Sequence, residues 1–167
     1  GTGTAANLAT LIKGITYKSG SDNPSTTART VSIVVKDADV ACAGSGNTTI
    51  SITGTNDCPT LSNASNFATS YTENGANASV VNSTFAIVDA DLATASTTQA
   101  WTATVQLTNG VSLDSLLVPT SANGFTVATP VYAYPNVTVT ISGTGTAANL
   151  ATLIKGITYK SGSDNPS

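Results

Sequence analysis

The carboxylates are the residues of this chain whose types and spacing point to chemistry. Asp37/Asp39, Asp57, Asp89/Asp91 and Asp22 (repeated as Asp164) all fall in segments that read as loops. Glu73 opens the turn Glu73-Asn74-Gly75, and only Asp114 stands isolated. Charged residues make up just 9% of the chain, so gathering carboxylates at loop ends costs repulsion unless a cation neutralises them. Calcium suits such a set, because it takes about six to eight hard oxygen ligands, including Asn and backbone carbonyls. Asp-x-Asp spacing lets two carboxylates of one loop reach a single ion. The same Asp and Asn residues also form turns without any metal. Several acidic elements fall near one predicted domain junction, and that concentration favours calcium. There is no His and there are only two Cys, which argues against zinc or a transition metal.

Enzyme chemistry finds little to work with. Without His, neither a Ser-His-Asp nor a Cys-His arrangement can be assembled. With one Glu, a catalytic carboxylate pair would have to use Asp residues better read as calcium ligands. Gly143-Thr-Gly145-Thr-Ala-Ala148 followed by Asp164 imitates a dinucleotide fingerprint, but its surroundings are short alternating strands, not a βαβ unit. Trp101, Tyr71, Tyr132 and Tyr134 could form a platform for a sugar ring, although β-rich folds usually bury such rings. The six basic residues are scattered and the net charge is −3, so there is no cationic footprint for nucleic acid. No run approaches the roughly 18 apolar residues that span a bilayer.

The elements that position these acids belong to a repeat. Residues 1–25, GTGTAANLATLIKGITYKSGSDNPS, return unchanged as residues 143–167. Identity at an offset of 142 implies a window on a longer tandem array whose units are whole domains. The natural boundary lies at Thr55-Asn56-Asp57-Cys58-Pro59-Thr60, where Pro59 suits a linker or the start of an edge strand. Residues 1–57 then form the C-terminal part of one domain, and residues 58–167 the N-terminal part of the next.

Within the period, strands are expected at Ala68–Tyr71, Ser79–Val88, Trp101–Leu107, Phe125–Ala128, Tyr132–Ile141 and Ile157–Lys160. The first copy continues with strands Arg29–Lys36 and Thr48–Thr53 around a loop at Asp37–Asn47. Leu150, Leu153 and Ile154, at i, i+3 and i+4, predict a short helix over Ala147–Gly156. The expected fold is an all-β antiparallel sandwich, Ig- or cadherin-like, with one short helix per repeat.

Cys42 and Cys58 occur once each per period. Cys42 sits in the hairpin loop and Cys58 past the far end of the second strand. The intervening strand separates them by about 20 Å, beyond the ~7 Å Cα limit for a bridge. A bond from Cys58 to the Cys42 equivalent of the following repeat is favoured, with free thiols or a local Cys42–Cys58 bond as alternatives.

The phrases YTENG (71–75), IVDADLA (87–93), ITYKSGSDNPS (15–25) followed by RTVSIVVKDAD (29–39), and GTNDCPTL (54–61) resemble the cadherin-like repeats of very large bacterial surface adhesins. The likeness covers nearly the whole period. It implies calcium at the junction between successive domains, held in this chain by Asp22, Asn56, Asp57, Asp89 and Asp91. Glu73 would serve the junction beyond residue 167. The linker is less acidic than the family's usual one, and the acidic element at its C-terminal pole is reduced here to Ser21-Asp22-Asn23. The implied role is a non-enzymatic extender at the cell surface or outside the cell, touching neighbouring repeats of its own chain and laterally placed copies in a fibre. The alternatives are a self-assembling filament, sheath or surface-layer subunit, and a carbohydrate-binding module.

Overall fold

The computed structural model describes residues 3–38 and 42–164. The chain divides into two compact units, Gly1–Thr55 and Asn56–Ser167. Both are built from antiparallel strands with one short helix each. Among the described residues, no helix is long and apolar enough to cross a membrane.

The first unit contains helix α1 (Ala5–Lys13) and the hairpin of β1 (Arg29–Lys36) with β2 (Ala43–Ile50). Thr4 caps α1 by accepting from the Asn7 N–H at 3.2 Å, and Gly14 closes its C-terminus. β1 and β2 pair over eight positions, from Arg29↔Ile50 to Lys36↔Ala43. β2 therefore starts earlier than its sequence suggests. Gly44 and Gly46 sit in the ladder opposite Val35 and Ile33 and not in a loop.

In the second unit the strands are β3 (Thr60–Ser62), β4 (Ala78–Ser79), β5 (Ala86–Val88), β6 (Gln99–Leu107), β7 (Asp114–Leu117), β8 (Phe125–Val127), β9 (Val131–Ala133), β10 (Asn136–Gly145) and β11 (Thr158–Ser161), with helix α2 (Ala147–Lys155) between the last two. β10 pairs with β6 along nine positions and also with β8 and β9. A second sheet runs β4-β11-β7, and β3 pairs with β5. All these pairings are antiparallel.

Alternation explains the core. Val137, Val139 and Ile141 point inward from β10 and are fully buried, whereas Thr140 between them is exposed. They meet Phe85, Trp101, Leu116 and Phe125, and the α2 face of Leu150, Leu153 and Ile154. The Trp101 indole N–H finds its partner inside, donating to the Gly145 carbonyl at 3.0 Å. Gly143 lets β8 approach: a Cβ there would stand 2.2 Å from the Gly124 carbonyl oxygen.

Three expected strands of the second unit differ as well. Ala68–Tyr71 is not a strand, and Tyr71 is fixed by donating its hydroxyl to the Ser161 carbonyl at 2.9 Å. Ser79–Val88 breaks because Asn82 Oδ1 accepts from both the Thr84 N–H and its hydroxyl at 2.9 Å, closing a turn. Tyr132–Ile141 is two strands, turning at Tyr134-Pro135 so that Asn136 faces Ala133.

Candidate functional site at the Asp57–Asp91 seam

β5 ends at Val88 and delivers the Asp89-Ala90-Asp91 loop; β3 begins at Thr60, just after Asn56-Asp57-Cys58-Pro59. Because β3 and β5 pair with Thr60 opposite Val88, the two segments leave the ladder side by side. The Asp57 N–H then donates to Asp91 Oδ2 at 2.5 Å, a short charge-assisted contact. Asp89 holds the loop from inside: its Oδ1 accepts from the Asp91 N–H at 3.0 Å and its Oδ2 from Gln99 Nε2 at 3.0 Å. Asp89 and Asp91 are half-buried, while Asn56 and Asp57 are exposed. Asn56 Nδ2 donates to the Asp57 carbonyl at 3.1 Å.

The set fits a calcium ion only as one side of a site. Two carboxylates lie beside the Asp57 main chain, and each already accepts at least one neutral N–H. Among the described residues, no three Asp, Glu or Cys side chains gather closely enough to hold a metal. A full shell of about six to eight oxygens needs carbonyls, water or groups from beyond this unit.

The remaining acids lie elsewhere. Asp22 and Asp37 are exposed in the first unit, and Asp39 lies outside the described residues. Glu73 is exposed on the turn closed by the Gly75 N–H to the Thr72 carbonyl at 2.8 Å. Cys42 and Cys58 are exposed free thiols.

Asp114, which stands isolated in the sequence, is the most enclosed acid. It is buried at the start of β7. Its Oδ2 accepts from the Val111 N–H at 3.0 Å, its Oδ1 from the Tyr159 hydroxyl at 2.7 Å, and its carbonyl from the Tyr134 hydroxyl at 2.8 Å. Burial pushes its pKa up, but the hydrogen bonds from Val111, Tyr159 and Ser161 together outweigh that and hold it below the ordinary value. Tyr159 is pushed up by burial and by its bond to the Asp114 carboxylate. Tyr71 packs edge-on against Tyr159, ring centroids 5.3 Å apart. Every polar atom here is engaged within the fold, so the cluster is structural. No local sequence signal marks it; the β7–β11 ladder, which sets Asp114 opposite Ser161, brings the cluster together.

Of the aromatic residues read as a sugar platform, Trp101 is buried and Tyr71 half-buried, whereas Tyr132 and Tyr134 are exposed and lie 6.2 Å apart at a 43° tilt. The GxGxxA segment ends an antiparallel strand, so its glycines serve packing.

Two grooves open on the second unit. One of about 390 Å³ lies between β5 and α2, beside Phe85, Leu92 and Ala151. The other, about 450 Å³, is bounded by Tyr71, Val80, Val105, Leu107, Leu116 and Tyr159. No protein-family model, curated protein or solved structure matches the chain.

Proposed function

We propose that this chain is a structural extender: tandem cadherin-like β-sandwich units of a bacterial surface adhesin or extracellular fibre, joined end to end and stiffened by calcium. Length and rigidity, rather than catalysis, are its output. The supporting observation is the bond from the Asp57 N–H to Asp91, which holds the start of the second unit against that unit's own acidic loop. The unchanged 25-residue recurrence supports the tandem part of the reading. Asp89 and Asp91 contribute two carboxylates, Asn56 and Asp57 line the same seam, and Asp22 is the acid assigned to the preceding unit. Calcium, when bound, would cancel the repulsion among these groups and restrict the linker.

Differential scanning calorimetry and small-angle scattering, each run with calcium and with chelator, test this. Calcium at a hundred times its Kd adds about 2.7 kcal/mol of stability. The melting temperature should therefore rise and the particle lengthen. Asp91→Asn should abolish both effects. Identical dimensions and melting in the two buffers would remove the mechanism.

A further inference from the structure

Three Asn-Gly pairs occur in the chain: Asn74-Gly75, Asn109-Gly110 and Asn123-Gly124. In such a pair the glycine main-chain nitrogen can attack the asparagine Cγ, because glycine has no Cβ to obstruct the approach. The fold leaves this reaction open at one pair and hinders it at the other two.

Ala122–Phe125 is a turn closed by the Phe125 N–H, which donates to the Ala122 carbonyl at 3.0 Å. Asn123 and Gly124 occupy its centre with φ of 57° and 84°, and two positive values identify a type I′ turn. Both residues are exposed. Among the described residues, the Gly124 N–H, the Asn123 carbonyl and the Asn123 carboxamide have no hydrogen-bond partner. The central peptide can therefore rotate without breaking a bond. Rotation converts the turn to type II′ and takes ψ of Asn123 from about 30° to about −120°, with the closing bond kept. There the Gly124 nitrogen eclipses Cβ and faces Cγ. The rotated state is a minor one, since type II′ favours glycine at the first central position.

The other two pairs are tied down by the attacking nitrogen itself. The Gly75 N–H closes its own turn on the Thr72 carbonyl at 2.8 Å, and the Asn74 carboxamide donates to Glu73 Oε1 at 3.4 Å. The Gly110 N–H donates to the Pro135 carbonyl at 2.8 Å, and Gly110 is buried. Breaking such a bond first slows the attack about tenfold.

We infer that Asn123 is a site of spontaneous deamidation, at which the folded second unit remodels its own turn through a cyclic imide. Gly124 N bonds to Asn123 Cγ, the Cγ–Nδ2 bond breaks, and ammonia leaves with the proton from the Gly124 nitrogen. Water then opens the imide at either carbonyl. The products are aspartate and an isoaspartate whose main chain runs through Cβ. Water is the only co-reactant, and the site is independent of the calcium reading.

The turn lies where extra main chain fits worst. The Gly124 carbonyl accepts from the Thr144 N–H at 3.1 Å, and a Cβ on Gly145 would stand 2.8 Å from the Asn123 carbonyl oxygen. An isoaspartate lengthens the chain at this contact and loosens β8, with its buried Phe125, from β10.

The test ages the folded full chain in warm, mildly alkaline buffer, which helps to remove the Gly124 proton. Chymotryptic cleavage after Phe85 and Leu117 puts the three pairs on separate peptides for mass spectrometry. Asn123 should acquire the amide-to-acid mass change about tenfold faster than Asn74 or Asn109. In denaturant the three rates should converge. The aged parent should show a second, lower melting transition that grows with the converted fraction, and Asn123→Gly aged beside it should not. An Asn123 that stays intact, or equal rates at the three pairs in the folded chain, would overturn the site. An aged parent that melts like the fresh one would overturn the loosening of β8.

Discussion

Ile157 is completely buried and Ile15 is 74% exposed, although both sit at the same place in an identical 25-residue sequence. Leu153 and Leu11 repeat the contrast, at 5% and 72%. The two helices have the same N-cap, the same terminating glycine and the same nine residues. Local sequence therefore suffices to form the helix, and the residues packed against it decide whether its apolar face is covered. In the second unit β10 and β5 supply that cover. In the first, α1 has no buried residue.

The same substitution should thus have very different consequences at the two sites. Ile157→Ala removes a side chain from the core and should cost about 2–5 kcal/mol. Ile15→Ala should stay within about 0.5 kcal/mol, as an exposed change does. Urea denaturation followed by Trp101 fluorescence reads the second unit and distinguishes the two. Equal losses would contradict the asymmetry.

Tyr159→Phe should destabilise the second unit by about 1–3 kcal/mol, because Asp114 Oδ1 loses its 2.7 Å donor in a buried setting. The ring remains to pack on Tyr71, so the loss isolates the hydroxyl. Tyr17→Phe, the same change in the exposed first copy, is the control and should leave the melting curve in place. A silent Tyr159→Phe would show that Asp114 is satisfied without it.

The pH dependence follows from the same pair. Asp114 is held below its ordinary value of about 3.9, so an unfolded chain takes up this proton first as the solution is acidified. Its contribution is complete above about pH 5 and is lost as the pH falls below about 4. Tyr159 is held above its ordinary value of about 10, so its contribution is complete below that and drains away as the pH rises further. The stability gap between the parent and Tyr159→Phe should form a plateau that narrows at both ends. Chemical denaturation across this range measures it, and a gap that widened in alkali would reverse the assigned sign.

What was legible in the sequence was whatever local pattern decides. Alternation marked Trp101–Leu107 and the Val137–Ile141 part of β10, and the i, i+3, i+4 spacing marked α2. The breaks were less visible, because each depends on a partner distant in space or on one side chain. Asn82 ends a strand through its own carboxamide, and Tyr71 gives up pairing to bond Ser161, 90 positions away. Gly44 and Gly46 look like loop residues until β1 offers them a ladder. Asp57, Asp89 and Asp91 were marked out as one acidic set, and two of them touch through Asp57 N–H and Asp91. Asp114 stands isolated in the sequence, because nothing in a one-dimensional reading places Tyr159 and Tyr134 around it.

Leu113, next to Asp114, has a φ of 80°, a region that a bulky side chain enters at a cost of about 1–2 kcal/mol. Its side chain is exposed, so packing contributes little in return. The backbone is held there by the Gly162 N–H, which donates to the Leu113 carbonyl at 3.0 Å, and by the Asp114 N–H to the Val111 carbonyl, also at 3.0 Å. Leu113→Gly keeps both bonds and removes the steric penalty. Part of the gain is offset by the greater freedom of glycine in the unfolded chain, leaving about 0.5–1 kcal/mol of net stabilisation. Leu113→Val should move the other way, because branching at Cβ crowds this conformation further. Thermal melting of the two variants beside the parent gives the order Gly above Leu above Val. If Val melts highest, the turn at Leu113 does not adopt this geometry in solution.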